Sequence, residues 1–144
     1  MLKNYVKSPL NYVGGKYKLL PQIEPLFPKE IDTFVDLFGG GGNITANVDA
    51  KLIVYNEKQR EVMELIAYLY GHEAEYSLAE LDGIIAEYGL SKTNKGGYLA
   101  LRDDYNSGYR AEMRFYALIT HAFNYQIRFN GNGGYNMPFG TNRS

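Results

Sequence analysis

The apolar positions of this chain follow two rhythms. Thr33–Phe38 (TFVDLF) and Lys51–Tyr55 (KLIVY) are short, nearly unbroken apolar runs rich in β-branched residues. Both read as buried strands. The first run ends in four glycines, 39–42, and Asn43–Val48 then reads as the opening of a helix. Elsewhere the period is helical. Residues 57–70 set Val62, Leu65, Ile66 and Leu69 on one face. Ser77 with Glu80 three residues on forms a capping-box signature. Leu78, Leu81, Ile84, Ile85 and Tyr88 carry that helix to a stop at Gly89. Lys92–Gly97 reads as a loop, residues 98–105 as a short helix, and Arg110–Phe123 as a helix burying Ala111, Phe115, Leu118, Ile119 and Ala122. Near the N-terminus, Gly14–Leu20 leads into a short helix that Pro21 and Pro25 hold to a few turns. Residues 124–144 are dense in Asn and Gly, which is hairpin or loop chemistry.

Strand, glycine turn, helix, strand, acid, helix is the opening half of a nucleotide-binding βαβ unit. Only two convincing strands are present, so the predicted α/β sheet is incomplete. Composition narrows the chemistry. With 144 residues, 45% hydrophobic and 22% charged, the chain can form a packed core of one-domain size. It has no cysteine, which removes disulfides and thiolate-bound zinc, and only His72 and His121 could offer imidazole. No metal site is expected. No apolar run approaches a membrane span and no targeting signal is visible, so a cytoplasmic location is expected, with no membrane partner.

The net charge of -1 argues against a uniformly basic nucleic-acid binder, but the charges are segregated. Residues 1–30 hold five lysines against two acids, residues 57–104 ten acids against five bases, and residues 107–144 four arginines against one acid. A polyanion would be met by the two ends. Fourteen tyrosines are available to stack on bases, though core filling is the simpler use.

The glycine turn does not fit a phosphate motif. A dinucleotide fingerprint needs a third glycine where Ile44 stands, and the pair Gly15-Lys16 continues into Tyr17 rather than Ser or Thr. A nucleoside without a long phosphate chain fits better, with Glu57 placed to accept from two ribose hydroxyls. The competing reading is a tight turn followed by an acid at a helix N-terminus.

Four pieces in order, LNYVGGKYKLLPQI, FVDLFGGGGNITANV, VYNEKQREVMELI and RFNGNGGYNMPFG, resemble the Dam-type (D12 class) DNA adenine-N6 methyltransferases over residues 8–140. The resemblance implies an incomplete Rossmann-like, S-adenosylmethionine-dependent methyltransferase sheet over residues 1–70. Residues 71–144 would form a helical target-recognition region ending in a β-hairpin. It implies S-adenosylmethionine as cofactor. Tyr12 and Lys16 would line its pocket, Asp36, Gly39, Gly40 and Gly41 would surround its methionine part, Glu57 would take the ribose, and Phe38 would belong to the same cofactor-binding set. Chemistry suits this: an acid beside the glycine turn matches an ammonium or sulfonium, and Lys16 a carboxylate or a backbone carbonyl.

The resemblance also implies double-stranded DNA as partner. Arg128 would read a guanine edge, to which its fork is matched, and Phe123 would wedge into the duplex. Asn124, Asn130 and Asn136 are candidates for phosphate or adenine-edge contacts, against a turn-building reading preferred for Asn132 and Asn136. A short site containing G-A, such as GATC, is the first expectation. The family holds its flipped adenine with D/N-P-P-Y/F. The prolines here, at 9, 21, 25, 28 and 138, never form it. No catalytic residue is therefore assigned. The chain reads as a donor-binding half, truncated or split, completed by a C-terminal chain or by self-association. The alternative is an inactive DNA- or S-adenosylmethionine-binding remnant.

Overall fold

The computed structural model describes residues 4–141, which divide into two compact units, up to Ile66 and from Ala67 onward. The first unit holds a two-stranded parallel sheet, β1 (Thr33–Asp36) and β2 (Leu52–Tyr55), paired Thr33 to Leu52 through Asp36 to Tyr55. It also holds one turn of α-helix, α1 (Leu20–Ile23), flanked by 3-10 turns at Tyr17–Leu19 and Glu24–Leu26. Pro21 sits in the first turn of α1 and Pro25 in that of the 3-10 turn Glu24–Leu26, where a missing N–H costs nothing. Helix α2 (Arg60–Gly71) runs from the first unit into the second.

The second unit is helical. It comprises α3 (Ala74–Tyr88), α4 (Lys95–Ser107) and α5 (Glu112–His121), followed by a 3-10 turn at Phe123–Tyr125 and an antiparallel return. Its core is aromatic. Phe115 on α5 lies 5.6 Å from the ring of Phe129, 5.8 Å from Tyr135 and 5.9 Å from Tyr105. Two of the buried tyrosines direct their hydroxyls to backbone carbonyls: Tyr98 to Met137 O at 2.9 Å and Tyr135 to Gln126 O at 3.0 Å. Burial pushes the Tyr98 phenol up to about 12, with Arg102 pulling the other way, and burial raises Tyr135 further.

Several expectations shift. The strands are not fully buried: Val35, Leu52 and Val54 are exposed, because each strand covers only one face. Asn43–Val48 forms a single 3-10 turn, Thr45–Asn47, rather than a helix. Val48 is already extended there, and the Asn43 and Asn47 side chains are spent on the N-terminal segment instead. The capping box at Ser77 does not form. The helix starts a turn earlier, the Ser77 N–H already bonds Glu73 O at 3.2 Å, and Glu80 accepts from the Tyr68 hydroxyl instead. Leu78 is accordingly exposed while Ser77 and Ile84 are buried.

Helix α4 begins at Lys95, inside the segment read as loop, because Asn94 caps it by accepting from Gly97 N at 3.0 Å. The stop at Gly89 is as expected. Gly89 is left-handed (φ 58°), its N–H reaches Ala86 O, and Leu90 N–H reaches Ile85 O at 2.9 Å, with Leu90 buried behind the turn.

Candidate donor cleft and recognition turn

The glycine bend sits where β1 ends. Gly39 N–H reaches across to Asn56 O at 2.9 Å, continuing the parallel ladder one step past Tyr55. Two tyrosines close on the bend. A Cβ on Gly39 would lie 2.1 Å from Tyr55 Cε2, and one on Gly40, at φ 53°, would lie 3.1 Å from Tyr12 Cδ1. Here glycine is required for ring approach and, at Gly40, for backbone angle. Tyr55 also donates its hydroxyl to Gly40 O.

Glu57, at the end of β2, ties these parts together. Its Oε2 accepts from Gly40 N at 3.0 Å, and its Oε1 accepts from Gln59 N at 2.9 Å and from the Tyr12 hydroxyl at 3.1 Å. Burial, then the charge of Glu57 and its hydrogen bond, raises the Tyr12 phenol above its usual range. Asp36, the last residue of β1, accepts from Thr45 Oγ1 at 2.7 Å. Lys16 Nζ donates to Gly14 O at 2.8 Å.

These groups border one cleft of about 420 Å³, and every cofactor residue singled out in the sequence lines it: Tyr12, Lys16, Asp36, Phe38, Gly39, Gly40, Gly41 and Glu57. Phe38 is 88% exposed, a ring held at the cleft with little protein over it. The sequence reading missed Asn43, whose Oδ1 accepts from Ser8 N at 3.0 Å, and Asn47, which bonds both N–H and C=O of Val6 at 2.8 Å. These two asparagines strap the N-terminal segment that carries Tyr12 against the turn. Four-residue spacing of Asn just after a glycine turn was the available signal. Tyr55 was read only as a strand residue.

The second unit holds the residues considered for DNA. Phe123 is 39% exposed, and its N–H donates to Pro138 O at 2.9 Å. Asn124 and Tyr125 follow with φ of 53° and 54°, two successive left-handed non-glycine residues. Such positions are costly and mark segments held by their surroundings. Phe129 pairs antiparallel with Tyr135, and Asn130 N–H reaches Gly134 O at 2.8 Å. Asn130 builds the turn: its Oδ1 accepts from Asn132 N at 3.0 Å and Gly134 N at 2.9 Å. Arg128 donates through Nε to Asn136 Oδ1 and through Nη2 to Asn136 O, both at 2.8 Å.

The returning segment, residues 135–137, is fastened to α4 by side chains. Asn106 pairs with both backbone groups of Tyr135, at 2.8 and 3.0 Å, and Arg102 joins Tyr98 on Met137 O. Among the described residues no three His, Asp or Glu side chains gather as a metal site, and no helix is long and apolar enough to cross a membrane.

A family model for the D12 class N6 adenine-specific DNA methyltransferases matches residues 12–144, and the chain belongs to that family. It is 50% identical over 141 residues to the Type II methyltransferase M.FokI of Planomicrobium okeanokoites, and 46% identical over 142 residues to the modification methylase StsI of Streptococcus sanguinis. Those matches cover 98% and 99% of this chain but 22% of each relative. The DNA adenine methylase of Escherichia coli K12 is 27% identical over 143 residues, which is 49% of its length. The chain thus spans a fifth to a half of the relatives it matches.

Proposed function

We propose that these residues form the donor-binding and part of the target-reading portion of a site-specific DNA adenine-N6 methyltransferase that uses S-adenosylmethionine. The observation that carries the reading is the convergence of Asp36, the Gly39–Gly41 bend, Phe38 and Glu57 on one cleft. S-adenosylmethionine, when bound, supplies an electrophilic methyl on a sulfonium.

The residues present suit that molecule. Asp36 is an acid for its cationic groups, and the bend lets backbone come close. Glu57 offers about four acceptor positions. Three are already used by Gly40, Gln59 and Tyr12. A ribose diol would thus take the remaining position and share or replace the Tyr12 hydroxyl. Lys16, held on Gly14 O, stiffens the cleft's N-terminal wall.

On the DNA side, Arg128 reads a guanine edge in the major groove, Phe123 enters an opened base step, and a flipped adenine is the acceptor. Residues 1–144 contain no D/N-P-P-Y/F, so none of them is assigned to hold the adenine amine. Calorimetry tests the donor half. S-adenosylmethionine or S-adenosylhomocysteine should bind this chain with one-to-one stoichiometry. Binding of NAD or ATP in their place, with neither methionine derivative taken up, would overturn the reading.

A further inference from the structure

Arg128 and Asn136 make three hydrogen bonds to one another. Arg128 Nε–H donates to Asn136 Oδ1, Nη2–H donates to Asn136 O, and Asn136 N–H donates to Arg128 O at 3.1 Å. A guanidinium has two edges that can make paired bonds, the side edge (Nε with Nη2) and the end edge (Nη1 with Nη2). Asn136 takes up the side edge from a single residue. The end edge, with two parallel N–H groups, is left for an acceptor pair such as O6 and N7 of guanine.

Asn136 is itself held fast. Its neighbour Tyr135 is clamped on both backbone groups by Asn106, and its neighbour Met137 receives Tyr98 and Arg102 on its carbonyl. The frame is therefore built from α4 outward: helix, returning segment, Asn136, Arg128. We infer that Asn136 is a positioning residue that sets which edge of Arg128 faces the base, and so determines guanine preference at one position of the target rather than contacting DNA through its carbonyl. This rests on the proposed reading of Arg128 as the guanine reader. It assigns Asn136 a role different from a phosphate contact, because its Oδ1 is committed within the protein. Holding an arginine in one rotamer before binding also removes part of the ordering cost of recognition.

The test is sequence selection from a randomised duplex pool by the full 144-residue chain, with variants compared at one salt concentration. The wild type should enrich guanine at one position. Arg128→Ala should abolish that enrichment. Asn136→Ala keeps the main-chain acceptor but loses Oδ1. It should lower the guanine preference at that position ~10-fold, within the range a bidentate contact commands, while total affinity for the unselected pool changes less than ~2-fold. Asn136→Asp retains both acceptors and should restore the preference, with an unfolding midpoint like that of the wild type. A merely structural role would instead lower affinity for all sequences alike. Guanine enrichment that survives Asn136→Ala overturns the inference alone. No guanine enrichment by the wild type overturns the reading of Arg128 and the inference with it.

Discussion

The Tyr12 hydroxyl donates to Glu57 Oε1 at 3.1 Å across 45 residues of sequence, and through Glu57 it is joined to the N–H of Gly40. The N-terminal segment, the glycine bend and the end of β2 thus meet on one carboxylate. Glu57→Ala would leave the Gly40 and Gln59 amides and the Tyr12 hydroxyl without their acceptor. For groups that are only half-buried, the loss should be about 1–3 kcal/mol. Urea unfolding should show this loss, and Glu57→Gln, which keeps one acceptor oxygen, should lose less. Equal stability of Glu57→Ala and wild type would mean the carboxylate does not organise the bend.

The bend itself makes a second prediction. At Gly39 a methyl group would collide with the Cδ2–Cε2 edge of the Tyr55 ring, 2.1 Å from Cε2. Gly39→Ala should cost about 1–3 kcal/mol, the range for overpacking. Adding Tyr55→Leu should make the combined loss smaller than the sum of the two single losses, since both act on one contact. Strict additivity in a double-mutant cycle would place the strain elsewhere.

Asn106 mimics a neighbouring strand by bonding both backbone groups of buried Tyr135. Asn106→Ala strands an N–H and a C=O beside the aromatic core. It should destabilise the second unit by about 2–4 kcal/mol, one penalty for each orphaned group. Amide exchange of residues 134–137 should speed up most. Exchange rates unchanged there would show that the returning segment is held without the clamp.

Alkaline pH offers an independent check on the tyrosine core. The Tyr98 phenol, raised to about 12 against 10 when unfolded, favours the neutral form in the folded state. Its contribution is therefore complete below pH 10 and is lost as pH rises from 10 to 12. Tyr135, raised further still, carries the loss onward. Unfolding free energy should be level from neutral pH to about 9 and then fall, and Tyr98→Phe should make that fall shallower. A stability that does not decline above pH 10 would contradict the buried, hydrogen-bonded placement of these hydroxyls.

Much of the fold was legible because its signals are local. Gly89 ends α3 through a left-handed turn that few other residues adopt cheaply, and the two apolar runs pair as parallel strands. The candidate cleft was legible for a different reason: the glycines and Glu57 stand at the ends of those strands, so placing the strands placed the residues. What the sequence did not disclose depends on contacts distant along the chain. Ser77 and Glu80 satisfy a capping pattern, yet Tyr68 takes Glu80 and the helix begins earlier. Asn43 and Asn47 lie in a stretch that reads as helix but hold Val6 and Ser8 instead. The exposure of Val35 and Val54 also escaped the pattern, since an apolar run records what a strand could bury, not what lies over it.

The most direct test of the donor cleft is the amide spectrum of the isotopically labelled chain titrated with S-adenosylhomocysteine. The largest shifts should fall on Gly39, Gly40, Gly41 and Asp36, with Glu57 and Gln59 following as the Tyr12 bond is rearranged. Saturable binding with those amides unmoved, and shifts gathered on another surface, would contradict the placement of the donor at the glycine bend.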